Sequence, residues 1–158
     1  MDHEFFQGTA VTSLQFALAL ARAKALDPTA FSAPRRQLTH EDIEHLEMRL
    51  GIPLPTDFRT FLLDYGDAGF GPAILLSPWP DDPAPIPRPV TVAYAPAAFL
   101  PIGESGTGDL YGFQIDGGRC LPTVYCWEHD TRELAPLYPD FYTFLADQAF
   151  GYLTPPDE

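Results

Sequence analysis

Eight of the chain's 18 prolines fall between Pro72 and Pro96. Proline fixes φ and has no N–H to donate, so a regular helix cannot run through this stretch and a central strand is disfavoured. The fold must be assembled from what lies on either side, with 72–96 expected to wrap the surface as extended chain. Ile74-Leu75-Leu76 and Val90-Thr91-Val92 are its strand candidates. Neither flank could form a core alone, so the whole chain, 1–158, is read as one domain. Residues 1–37 supply an N-terminal helix and loop, 38–150 the core, and 151–158 a tail.

Upstream of the prolines the pattern is helical. Thr12 to Leu26 is rich in Ala and Leu, with Arg22 and Lys24 near its end, where cations suit the helix dipole. Asp27-Pro28 stops it. Thr39 is a good N-cap, and Asp42 three residues on completes a capping-box pattern. Ile43, Leu46, Glu47 and Leu50 follow at helical spacing, and Gly51 is the expected stop. Pro55 sits where a helix start tolerates proline. Phe58, Phe61, Leu62 and Tyr65 then form an apolar stripe at i, i+3, i+4 and i+7, closed by Gly66 and Gly69.

Downstream the period changes. Phe99, Leu100 and Ile102 predict a short buried strand. In Leu110 to Ile115, Leu110, Gly112 and Gln114 share one face and Tyr111, Phe113 and Ile115 the other. Asp116-Gly117-Gly118 signals a hairpin, Pro122 to Trp127 its return strand, and 128–131 a further turn. Pro139-Asp140 opens a last helix through Phe141, Phe144, Leu145, Gln148 and Ala149, closed by Gly151. Helices at both ends with antiparallel hairpins between them make an α+β fold. A chain that is 46% hydrophobic and 13% aromatic is expected to pack a core rather than stay disordered.

Charge narrows the partners. There are 22 acidic residues against nine basic, for a net charge of −13. From Phe61 onward 14 acids face only Arg88, Arg119 and Arg132, so −11 of that total lies there. Such a field repels nucleic acid and anionic lipid and attracts basic partners. The acidic N-terminus MDHEFF gives Leu14 to Ala21 no signal-peptide character, and that run is too short to span a bilayer. Cys120 and Cys126 make no disulfide framework. A reducing, cytoplasmic protein without cofactors is expected.

Motifs for catalysis or metal binding are weak. His40 and His45 are five apart, not the four that place two zinc ligands on one helix face. Cys120, Cys126 and His129 lack the paired spacing of structural zinc, and a thiol in an apolar strand is inert. The loop Gly103 to Asp109 carries two acids and leads into a strand, so it would repel phosphate rather than cradle it. Glu104, Asp109 and Asp116 do not match a calcium loop. Trp79, beside Asp81 and Asp82, either anchors a partner or tucks into the core edge.

The order of these pieces resembles the SUKH superfamily, which includes bacterial toxin-immunity proteins and fungal cell-wall assembly regulators. One piece is Leu46-Glu47, Gly51-Ile52, Leu54-Pro55 and Phe61-Leu62. The next is Phe99-Leu100-Pro101-Ile102-Gly103, then Gly108-Asp109 and an aromatic strand. The last is Val124-Tyr125-Cys126-Trp127-Glu128-His129, then a helix with Phe141 and Phe144-Leu145. The chain departs where the family often has Asn-Gly after its second helix, carrying Tyr65-Gly66-Asp67-Ala68-Gly69 instead. The resemblance implies a twisted antiparallel sheet flanked by helices, no catalysis and, for bacterial members, neutralisation of a toxin.

The expected function is that of a non-catalytic immunity protein docking onto the basic catalytic domain of a toxin, with no nucleic acid or membrane partner. Its contact residues would be Trp79, Asp81, Asp82, Glu104, Asp109, Glu128 and Asp130. The alternative is a regulatory or scaffold module binding a cellular protein. A small hydrolase would require His129 close to Cys126 or Ser105 in a deep pocket.

Overall fold

The structure is a computed structural model that describes residues 5–91 and 98–151. Val92 of the second strand candidate and nearly all of the tail lie outside the described residues. The described elements run as helix α1 (Ser13–Leu26), a short 3-10 turn (Pro28–Ala30), helices α2 (His40–Leu50) and α3 (Thr56–Tyr65), and strands β1 (Ile74–Leu75), β2 (Val90–Thr91), β3 (Ala98–Glu104), β4 (Leu110–Asp116), β5 (Arg119–Trp127) and β6 (Leu134–Tyr138). Helix α4 (Phe141–Phe150) completes them.

The helix boundaries are written in side chains. Thr12 and Thr39 each cap a helix through a reciprocal box, with Gln15 and Asp42 answering the cap backbone. Gly51 ends α2 in the left-handed region at φ 79°, which costs glycine nothing for want of a Cβ. Asp140 caps α4 by accepting from the Thr143 N–H. The Leu-Glu and Leu-Pro pairs turn out to be one device. The Glu47 carboxylate accepts from the Leu54 N–H at 2.7 Å and also faces Arg59 Nε at 3.5 Å. It thereby fixes the break between α2 and α3, while Leu46 and Leu54 go into the core.

The sheet is antiparallel, in the order β1-β3-β4-β5-β6, with β2 also pairing β3. β4 occupies one edge of β3, so β1 and β2 share the other. β1 meets Gly103 and Glu104, and β2 meets Ala98 and Phe99. The α+β fold read from the sequence is the fold observed. β6 is an addition: its sequence, Leu-Ala-Pro-Leu-Tyr, carries a proline that an edge strand tolerates.

Alternation divides the sheet into two faces. Leu100, Tyr111, Phe113, Val124 and Cys126 join the main core, to which all four helices contribute. Phe141 packs there against Phe61 and Phe58 with centroids 4.8 and 4.9 Å apart, and Phe144 lies over Tyr111 at 5.1 Å. The proline-rich stretch departs from a pure surface wrap. Ile86 is fully buried within it and Pro78 is buried, held down by Arg49, whose Nη1 donates to the Ile86 carbonyl at 3.0 Å.

Candidate functional site

The seven acidic and aromatic residues singled out from the sequence fall into two sets, on different elements. Trp79, Asp81 and Asp82 lie on the loop after β1. Glu104, Asp109, Glu128 and Asp130 lie at one end of the sheet, where β3 turns into β4 and β5 into β6.

The first set is engaged with the chain's own arginines. Arg35 Nη2 reaches Asp82 at 2.9 Å, and Arg36 reaches Asp82 at 3.0 Å and Asp81 at 3.3 Å. The Arg36 guanidinium also sits 4.4 Å from the Trp79 ring centroid, a cation–π contact. Ser77 donates to Asp82 through its hydroxyl and accepts from the Trp79 N–H at 3.0 Å. The Asp82 side chain is 12% exposed while Asp81 is 72% exposed. Trp79 packs against the core edge. Arg35 and Arg36 with the 77–82 loop thus form a strap across the surface, and Asp67 completes it, its Oδ1 accepting from the Arg35 N–H at 2.7 Å.

Asp82 is held below the usual aspartate pKa of 3.8, first by the Ser77 hydroxyl and then by the two arginines, which together outweigh burial. A depressed carboxylate stabilises the fold above its unfolded pKa, and that contribution is lost as pH falls through the folded one. An NMR titration should therefore find Asp82 below 3.8, with Ser77→Ala moving it upward. A midpoint at or above 3.8 in the parent protein would contradict this assignment.

The second set is arranged by register. Glu104 pairs with Leu110, Leu110 with Trp127, and Trp127 with Leu134. The intervening loop is shaped by Ser105, whose Oγ accepts from the Thr107 and Asp109 N–H groups at 3.1 and 3.2 Å. Asp109 then reaches across to the next turn. Its Oδ1 accepts from the His129 backbone N–H at 3.1 Å and meets His129 Nδ1 at 2.7 Å. Asp130 meets the other ring nitrogen at 3.0 Å. The pKa of His129 is raised, chiefly by that bond to Asp109 and further by Asp130 and Glu128. Asp109 and Asp130 thus clamp the imidazole, and Asp130 remains 76% exposed.

Nucleophilic chemistry finds little support. His129 is bonded to carboxylates, and Ser105 Oγ lies 2.8 Å from Thr107 Oγ1. Burial pushes both thiols, Cys120 and Cys126, up to about 12, the reverse of an activated cysteine. A cleft of about 550 Å³ between the start of α3 and β5 includes Asp57, Arg119 and Cys120 in its lining. Burial, with Asp140 nearby, raises Asp57. Among the described residues no group of three or more His, Cys, Asp or Glu is placed to hold a metal ion, and no helix is long and apolar enough to cross a membrane.

The model of the SMI1/KNR4 family (SUKH-1) matches residues 37–147, well over half of the chain. The chain belongs to that family. No match was found among curated proteins or solved structures. The SUKH match runs from α2 into α4, and so takes in the Glu47 brace, the acidic side of the strap at Asp81 and Asp82, and the sheet end, while Arg35 and Arg36 lie just before it. Sequence reasoning passed over Arg35 and Arg36, which offset the charge of the first acidic set, and Ser77, which hydrogen-bonds to it. It placed Tyr125 and Trp127 on a strand and in the family resemblance but gave them no contact role, though their alternation with Val124 and Cys126 signals a second sheet face.

Proposed function

We propose that this SUKH domain is a non-catalytic, cytoplasmic immunity protein that neutralises a cognate toxin. It would dock onto a basic catalytic domain, of a nuclease for instance, and cover the cationic groups that otherwise hold substrate phosphate. The observation that carries this reading is the acid excess: −11 of the net −13 falls from Phe61 onward. Four of those acids, Glu104, Asp109, Glu128 and Asp130, gather at one end of a sheet in a family associated with toxin immunity. Acidic complementarity steers a basic partner and raises its association rate.

Asp81 and Asp82 play a smaller part in this reading, because Arg35 and Arg36 already answer them. The test is affinity for a toxin domain encoded beside this gene. Charge reversal at Glu128 and Asp130 is expected to weaken binding by about 10-fold or more at low salt, with reversal at Asp81 costing less. Raising ionic strength should weaken binding by slowing association. Binding indifferent to salt and to both reversals would refute the proposal.

A further inference from the structure

We infer that the partner docks on the helix-free face of the sheet, with Trp127 as its apolar anchor, and that the occupant is a cationic protein surface bearing apolar side chains among its Lys and Arg. The inference rests on the protein-binding reading above and names the surface within it.

Strands that pair directly place opposite residues on the same face. Ile74, Glu104, Leu110, Trp127 and Leu134 therefore form one continuous row across β1, β3, β4, β5 and β6. Tyr125 lies in the adjacent row, opposite Gly112. None of these residues belongs to the main core or to the shell packed against it, whereas their neighbours Tyr111, Phe113, Val124 and Cys126 do. The row is partly open. Ile74 is 43% exposed, and Leu110, Tyr125, Trp127 and Leu134 are half-buried. The opening is local, since Phe99 on the same face is fully buried. Within it the Trp127 indole N–H is shielded without a hydrogen-bond partner among the described residues. A partly open aromatic and aliphatic stripe of this kind fits an interaction surface.

The acids say what covers it. Glu104 stands in the row itself, Asp109 precedes Leu110, Glu128 follows Trp127, and Glu133 precedes Leu134. Asp130 lies in the turn between β5 and β6. His129 and Arg132 are the basic residues in that turn, and His129 is clamped between two carboxylates. An apolar centre with a charged rim is the anatomy of a protein interface, and the sign of the rim selects a basic partner. A second copy of this chain would bring another −13 against the same rim, and nucleic acid or anionic lipid would be repelled likewise.

Trp127 is its own reporter. The chain has two tryptophans, and Trp79→Phe preserves a ring for Arg36 while removing an indole N–H that has no partner. The full-length Trp79→Phe protein would be titrated with a short synthetic peptide alternating leucine and arginine, and with its leucine–glutamine counterpart. The arginine peptide is expected to change Trp127 emission saturably and to shift amide signals of Leu110, Trp127 and Leu134. It should bind roughly 10-fold more tightly than the glutamine peptide.

Trp127→Ala in the otherwise native chain is expected to weaken the arginine peptide by about 10-fold, as truncating an anchor does. Should that variant misfold, Tyr125→Ser and Leu110→Ser test the same face and should each weaken binding several-fold. Saturable binding that maps to α2 and the strap, or that ignores these substitutions, would overturn the docking face and leave the cationic-partner reading standing. Equal affinity for both peptides would count against the cationic partner itself. Absence of binding would overturn the docking face.

Discussion

Gly112→Ala is expected to cost on the order of 3 kcal/mol or more and to lower the melting temperature by roughly 6–12 °C. The cause is space, not backbone conformation. A Cβ on Gly112 would lie 2.0 Å from the Leu100 carbonyl oxygen and 2.8 Å from both the Leu100 carbonyl carbon and Pro101 Cα. All three are main-chain atoms of β3, and no rotamer change can move them aside. Relief would require β3 and β4 to part where Pro101 faces Gly112, next to a register shift between Pro101 and Gly103. Leu100 and Phe113, both fully buried, are paired beside this contact, so separation there would open the core. Thermal and urea unfolding measure the effect, and a melting temperature within about 2 °C of the parent would refute the steric account.

Phe141→Ala is expected to destabilise by about 3–5 kcal/mol. Phe141 is 1% exposed and lies among Phe58, Phe61, Tyr142 and Phe144 with centroid distances from 4.8 to 6.0 Å. It ties α4 to α3, so its removal leaves a cavity that rigid aromatic neighbours cannot collapse to fill. Tyr142→Phe is the contrasting control. Its hydroxyl is buried with no hydrogen-bond partner, and burial drives its pKa well above the usual tyrosine value. Deleting an unsatisfied polar group is near neutral or stabilising. Denaturant melts of the two variants should therefore separate by several kcal/mol. Similar losses in both would show that α4 tolerates no change at all, and the cavity argument would fail.

The helices were legible because each announces its ends. Thr39 with Asp42, Gly51, Pro55 and Asp140 act through local bonds, spanning a few residues, that a linear reading can see. The β4–β5 hairpin was legible for the same reason, through Asp116-Gly117-Gly118. β6 was not, since Pro136 reads as a strand breaker until the strand is known to lie at an edge. The fate of the acids was the least legible. Asp82 looks like surface charge, yet the arginines that hold it lie 46 and 47 residues earlier. Composition counts charges without pairing them. At the sheet end the row of outward side chains depends on strand register, which two bulges shift within β5's pairings, and no local pattern announces such shifts.

Both β1 and β2 rest on a single edge of β3. The proline-rich excursion therefore leaves one strand and comes home to it, like a handle riveted to the same rail at both ends and braced between them by Arg49 at Ile86 and by Arg35 and Arg36 at Asp82. Lengthening such a handle adds only about 0.6 kcal/mol of closure entropy per doubling of its length. New residues inserted near Pro83 and Ala84, both exposed, would leave each rivet in place. This makes the handle a natural position for grafting an epitope or a fluorophore, at a distance along the chain from the residues that build the sheet.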